Sequence, residues 1–297
     1  MTSKDCRDAI LPPPKVTVVV VVLALASSLC YGLADFLGGL LARRTNAWTV
    51  AVVANSAATV FTALGALFVA GAPAPADWLW GAVAGVGGGI GAVFLYRGLA
   101  SGRMSVVAPL SAIGAALLPV VVGVVAGERP GVVTWVGLAC AFPAIWLISR
   151  AAEPATGQPQ TASGGVLDGL LAGLGFGVLF AALGQVPDAA GLGPLALTQG
   201  VSVVAIVAVA TALRRRWVPR DRHAASAMVV GFLGAAATWL FLLATQSGFL
   251  TVAAVLSSLY PASTVLLAAV LLHERIDRGQ SVGLLLAALA VGLVAAG

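Results

Sequence analysis

"LYRGLASGRMSVVAPLSAIGAALLPVVVGVVAGERP", Leu95 to Pro130, returns in altered form as "ATQSGFLTVAAVLSSLYPASTVLLAAVLLHERI", Ala244 to Ile276. At a shift of 146, Ser101–Gly102 meets Ser247–Gly248, Ser105–Val106 meets Thr251–Val252, and Leu110–Ser111 meets Leu256–Ser257. Glu128–Arg129 then meets Glu274–Arg275, and Val136–Gly137–Leu138 meets Val282–Gly283–Leu284. At a shift of 145, Gly32 meets Gly177. Polar pairs at one common offset are hard to obtain by chance in so simple a composition. The chain reads as a duplication.

What is duplicated is membrane-spanning. Of 297 residues, 60% are apolar and only 9% charged, and the mean hydropathy is +1.03. A soluble domain carries about 25% charged residues. Too few polar side chains are available to cover a soluble core of this size, so the class is integral membrane. The apolar runs are about 20 residues long and do not alternate, which favours helices over a barrel. Ten spans are predicted: Val16–Leu41, Ala47–Ala70, Trp78–Ala100, Val106–Ala126, Val132–Ser149, Gly165–Gln185, Gly193–Leu213, Ala224–Thr245, Leu250–Leu272 and Ser281–Ala296. The expected fold class is all-α integral membrane, ten helices as two inverted five-helix repeats. The repeats are expected at 16–149 and 165–297, joined by a Pro-, Gly- and Ser-rich linker at 150–164. Five spans per repeat is an odd number, so the second must lie upside down relative to the first, the plan of many secondary transporters.

The segment before Val16 lacks a small-residue cleavage site after a short apolar stretch, so it does not read as a signal peptide. Cys6, Cys30 and Cys140 have neither metal-like nor disulfide-like spacing. Neither a P-loop, a nucleophile elbow nor a metal cluster appears, which argues against an enzyme and against ATP hydrolysis by this chain. No cofactor and no metal is expected. The net charge of +5 is scattered over short loops and belongs with the membrane surface, not with nucleic acid. If the N-terminal side is called A, it holds Lys4, Arg7, Lys15 and Arg129. Side B holds the other twelve basic residues, five of them between Arg214 and Arg222. The excess of positive charge puts side B in the cytoplasm and both termini outside.

Two glycine ladders, Gly81/Gly85/Gly89 and Gly169/Gly173/Gly177, place small residues on one helix face and permit close helix approach. Pro109, Pro119, Pro143 and Pro261 lie inside spans and are expected to bend them. Trp48, Trp78, Trp80, Trp135 and Trp217 lie at span ends and read as interfacial anchors.

The candidate site starts at "YGLADFLGGLLARR", Tyr31 to Arg44. Asp35 is a carboxylate at the end of an apolar run, and it shares a helix face with Ser28, Tyr31 and Gly38. It lies roughly 9 Å from the middle of its span, against a hydrocarbon half-thickness of about 15 Å, too deep for an aspartate to reach the headgroups. An intramembrane acid is a functional hypothesis with a partner to name. The expected partner is Arg97, at matching depth on the third span; the alternative is that Arg97 reaches the headgroups by itself. Asp35 itself is either a proton or substrate contact or half of a structural helix-to-helix bond. Tyr260 and Ser257, beside Pro261 in the middle of the ninth span, are cavity candidates, as are Gln199 and Trp239. Each has plain packing as its alternative. Gln185 and Gln246 lie near span ends and are read as caps.

These residues carry a resemblance. "YGLADFLGGLLARR" and the two copies quoted above resemble the EamA family of the drug/metabolite transporter superfamily, over nearly the whole chain. The glutamate-arginine pair after the fourth and ninth spans is a marker of that family. The resemblance implies a ten-helix secondary transporter with a central cavity, often exporting amino acids, metabolites or toxic compounds. Small multidrug transporters of the same superfamily use a first-helix carboxylate for protons and substrate, which matches Asp35 in kind. The second repeat has Phe180 at the mate of Asp35, so any proton site is asymmetric. Relatives of this size often resemble proteins with both termini in the cytoplasm, opposite to the charge count, and the orientation stays open.

The expected function is therefore a secondary transporter in the plasma membrane, exporting small metabolites or drugs either with proton coupling or by facilitated passage. Uptake, or a non-transporting sensor or scaffold, is the alternative. The partners are a small-molecule substrate and the lipid bilayer, with a homodimer left open.

Overall fold

The computed structural model describes residues 18–69, 71–100, 104–149, 162–219, 222–271 and 276–297. The 150–164 linker lies largely outside these residues, as do the Glu274–Arg275 pair and the N-terminal segment.

Eleven α-helices follow in chain order among the described residues: α1 (Val18–Arg44), α2 (Ala47–Ala66), α3 (Pro75–Ala100), α4 (Met104–Val125) and α5 (Val132–Ser149), then α6 (Ala162–Leu183), α7 (Gly193–Ala212), α8 (Arg222–Gln246), α9 (Leu250–Ser257), α10 (Tyr260–Leu271) and α11 (Arg278–Ala296). They make ten stretches long and apolar enough to cross a membrane, with α9 and α10 together forming one of them. The protein is a multi-pass membrane protein.

The ninth span departs from the sequence expectation. It is not one helix but two, broken at Ser258–Leu259. Pro261 explains the break. It has no N–H to give to an earlier turn, so it sits in the first turn of α10, where a missing donor costs nothing. Pro109 and Pro119 stay inside α4, and Pro143 inside α5.

The packing is twofold. Helix α3 packs along α6, as α8 packs along α1; α4 packs along α6, as α9 and α10 pack along α1; α3 packs along α7, as α8 packs along α2. Helix α5 lies along α11. The main contacts thus join one five-span unit to the other, and neither unit is a separate bundle.

The glycine ladders explain how the units come so close. A side chain on Gly81, Gly85 or Gly89 of α3 would run into the backbone oxygens of Pro194, Thr198 and Ser202 of α7, at 2.6, 2.5 and 2.7 Å. The fit is finished by hydrogen bonds. Thr198 Oγ1 donates to Gly81 O at 2.9 Å and Ser202 Oγ to Gly85 O at 2.8 Å. The second ladder does the same against α4: Gly169 meets Leu110, Gly173 meets Leu110 and Gly114, and Gly177 meets Gly114 and Leu118. In lipid, where apolar surface alone does not drive helices together, such close backbone contact is what holds them.

Two apolar cores result. One gathers the beginning of α1 and α9 with the ends of α6 and α8, around Val20, Leu183, Phe241 and Leu250. The other gathers the end of α3 with the beginning of α2, around Val50, Leu95 and Leu99. The site lies between them.

Outside the site, charged groups act as caps. Asp77 accepts from Ala74 N at 2.7 Å at the start of α3, and Asp277 caps α11 reciprocally with Gln280. Glu128 of the family-marker pair reaches into the other repeat. It accepts from Leu250 N at 2.5 Å, Thr251 N at 2.9 Å and the Thr251 hydroxyl, so it caps the start of α9. A carboxylate suits that place because it satisfies free N–H groups at the positive end of a helix.

Four of the five expected tryptophan anchors, Trp78, Trp80, Trp135 and Trp217, are exposed or half-buried. Trp48 is not an anchor. It is 5% exposed, packed in the second core with its backbone N–H held by Asn46.

Candidate functional site

Six helices, three from each repeat, line one cavity. Tyr31 and Asp35 come from α1, Asn55 from α2, Tyr96 from α3, Phe176 and Leu179 from α6, Gln199 and Ser202 from α7, and Thr238 from α8. Alanines, glycines and Val230 fill the rest of the wall. The cavity holds about 560 Å³ of empty space, its open mouth included.

The polar wall is wired by its own helices. The Thr238 hydroxyl donates to Gly234 O at 2.7 Å, one turn back in α8. Having spent its proton, it must accept from Tyr31 Oη at 2.9 Å, and it also takes Gln199 Nε2 at 3.5 Å. One threonine thus fixes a phenol from the first repeat and an amide from the second. Asn55 Nδ2 donates to Ala51 O at 2.9 Å, which leaves its second N–H and its Oδ1 for other partners. Gly38 leaves room for the Tyr96 ring; a side chain there would lie 2.6 Å from Tyr96 Cε1. The face of α1 that carries Asp35, Tyr31 and Gly38 is therefore a cavity face at Tyr31 and Asp35 and a seat for Tyr96 at Gly38.

Asp35 stands alone in this wall. Among the described residues its carboxylate has no ion pair and no protein hydrogen bond. Its expected partner is elsewhere, and this corrects the sequence reading. Arg97 gives both Nε and Nη2 to Asp168 Oδ1 of α6, with Nε at 3.0 Å. Its guanidinium also lies 4.4 Å from the centre of the Phe94 ring. Depth along a span does not say which neighbour α3 turns toward. Helix α3 packs far more closely on α6 than on α1, so Asp168 claims the arginine. Asp168 was missed because it opens the sixth span, where an acid reads as a surface residue.

Toward the end at which α1 begins, an aromatic floor lies beneath the cavity, and Tyr31 is its ring on the cavity wall. Phe180 stacks on Phe241 with ring centres 4.3 Å apart, and Tyr31 lies 5.7 Å from Phe180 and 6.4 Å from Tyr260. The Tyr260 hydroxyl pairs with Ser111 Oγ at 2.9 Å. Tyr260 therefore supports the floor and does not line the cavity, and the expected cavity roles of three other residues are corrected likewise. Ser257 is fully buried, with its hydroxyl on Ala24 O at 3.3 Å. Ser28 is buried off the cavity wall, and Trp239 packs on the first core. The stripe on one α1 face is too broad a guide, since helix packing decides which part of it meets open space. Gln199, Tyr31 and Asp35 do line the cavity. Asn55, Tyr96, Ser202 and Thr238 were missed. A signal existed, because Asn55, Ser202 and Thr238 are polar and lie in the middle third of their spans. Gln185 and Gln246 donate to the backbone oxygens of Ala181 and Val186 near helix ends, at 3.3 and 3.4 Å.

The EamA-like transporter family profile matches residues 18–150 and again 163–296. The chain belongs to the EamA-like transporter family. The two matches are the two five-helix units, and they place the chain in the drug/metabolite transporter superfamily. No curated protein matches it. A solved crystal structure superposes on this EamA-like chain with a TM-score of 0.65, over 93% of this chain and 96% of the other, at 16% identity. At that identity the likeness concerns the fold alone. Members of the family are transporters of small molecules, which fits a chain whose two repeats enclose a cavity.

Proposed function

We propose that this protein is a proton-coupled secondary transporter of the plasma membrane that exports small metabolites or drugs. One observation carries the reading: a lone carboxylate, Asp35, faces a cavity lined by three helices from each repeat. A carboxylate held inside a membrane protein without a partner is costly unless it works. As a transport site it alternately holds a proton or a substrate group.

The two repeats are related by inversion, as five spans each require, and rocking about the shared cavity exposes it to one side and then the other. The aromatic floor of Phe180, Phe241 and Tyr31 is the closed gate in this picture. The Glu128 cap on α9 joins the repeats on the same side and strengthens that closure.

The test is untargeted metabolite profiling of cells and medium. Strains overproduce the wild type, Asp35→Asn, or neither. The reading expects a compound that rises in the medium with the wild type alone. A compound that instead accumulates inside the cells means uptake. If nothing moves in either direction, the transport reading falls.

A further inference from the structure

We infer that the cavity selects organic monocations, amines that carry no carboxylate beside the ammonium group. The inference rests on the transport reading and names its substrate class. It follows from what the wall contains and what it lacks. Its charge is one carboxylate, Asp35, without a protein counter-ion among the described residues. Around it stand the rings of Tyr31, Tyr96 and Phe176, whose faces attract cations. Across the cavity, Asn55 and Gln199 present amide groups that can bond a hydroxyl or other polar end of a ligand.

What is lacking excludes other classes. Among the described residues, no lysine, arginine or histidine lines the cavity. Arg97, the basic residue closest along α3, is already committed to Asp168. No helix begins at the wall either: every lining residue lies inside its helix, so no N-terminal dipole is available for an anion. An acid would meet Asp35 and nothing to offset it. The ammonium of an amino acid would find its place, while its own carboxylate, two bonds away, would be left beside Asp35. A bare metal cation is also a poor fit, because most of the wall is apolar and among the described residues no cluster of three His, Cys, Asp or Glu side chains could hold one.

Three probes with the same ring separate these classes: tyramine has the ammonium alone, tyrosol has a neutral hydroxyl in its place, and tyrosine adds a carboxylate. Binding is measured by calorimetry on purified full-length protein in lipid nanodiscs. The inference expects tyramine to bind at least tenfold tighter than tyrosol and than tyrosine. Asp35→Asn brings tyramine to within about twofold of tyrosol, and a melting temperature equal to the wild type's shows that the variant is folded. Tyr96→Leu weakens tyramine more than tyrosol, whereas Tyr96→Phe keeps the preference. Tyrosol or tyrosine binding as well as tyramine overturns the inference. So does binding of tyramine that sodium chloride abolishes and potassium chloride does not. No binding of any probe at millimolar concentration overturns it as well. The transport reading fails separately: an exported acid or neutral compound in the profiling sinks the cation class and leaves transport standing.

Discussion

Asp35 and Asp168 lie inside membrane-spanning helices, one in each repeat, and they have opposite surroundings. Asp168 on α6 is buried, with a side chain 6% exposed, and it takes both Nε and Nη2 of Arg97. Asp35 on α1 faces a cavity and takes nothing from the described residues. The first is satisfied, so its chemistry is spent on holding α3 to α6. The second is unsatisfied, so its chemistry is available. The repeats themselves show the same contrast. At the place where the first repeat has Asp35, the second has Phe180, which stacks on Phe241 in the floor. A duplicated scaffold supplies the shape twice, and one equivalent pair puts an acid on the cavity wall in one copy and a packed ring in the other.

The comparison can be broken most forcefully at Asp35. Removing its charge in Asp35→Asn deletes a contact to a buried cationic group worth about 2–4 kcal/mol, or roughly 30- to 1,000-fold. The expected result is loss of export of the profiled compound with no loss of thermal stability. Retained export would mean that an unpaired acid here is idle.

The next effect tests whether close packing of the repeats holds the cavity. Gly85→Val puts a side chain against Thr198 O, and such overpacking costs typically 1–3 kcal/mol. Gly292→Val on α11 meets nothing within 4 Å and serves as the control. Melting in nanodiscs should fall for the first and hold for the second. Equal melting points would show that the ladder is slack.

Asp168→Asn sharpens the contrast from the other side. It strips a partly exposed arginine of its partner, at a cost of about 1–2 kcal/mol. Adding Arg97→Gln should restore part of the loss, since the orphaned charge is then gone. A double variant as unstable as the sum of the singles would deny the pair any coupling.

The smallest effect is at Tyr31→Phe. It removes one neutral hydrogen bond to Thr238, worth about 1 kcal/mol, so substrate affinity should fall by only a few-fold. A loss as large as that of Asp35→Asn would move the working group from the acid to the phenol.

Much of this architecture is legible in the sequence, because the bilayer leaves few options. Twenty-residue apolar runs fix helices, the shared offset of Glu128–Arg129 and Glu274–Arg275 exposes the repeat, and four-residue glycine spacing marks the packing faces. Pro261 is legible as a disturbance, though not as a complete break. The site was only half legible. Asp35 stands out because a charge in hydrocarbon is rare. Arg97 stands out as well, but its partner depends on which helix lies across from α3, and depth along a span carries no such information. Thr238 and Ser202 were passed over because hydroxyls on membrane helices usually bond their own backbone. Both do so here, and yet both also face the cavity. Ser257 and Tyr260 look identical in kind and are buried in the packing below.

The central claim is that Asp35 works while Asp168 holds. The most direct measurement takes both Asn variants, purified side by side, and records export of the profiled compound from proteoliposomes together with the melting temperature. The account predicts opposite outcomes: Asp35→Asn melts no lower than the wild type and does not transport, whereas Asp168→Asn melts lower and its folded fraction still transports. If Asp35→Asn transports normally and melts lower, the lone carboxylate is structural and the account is wrong.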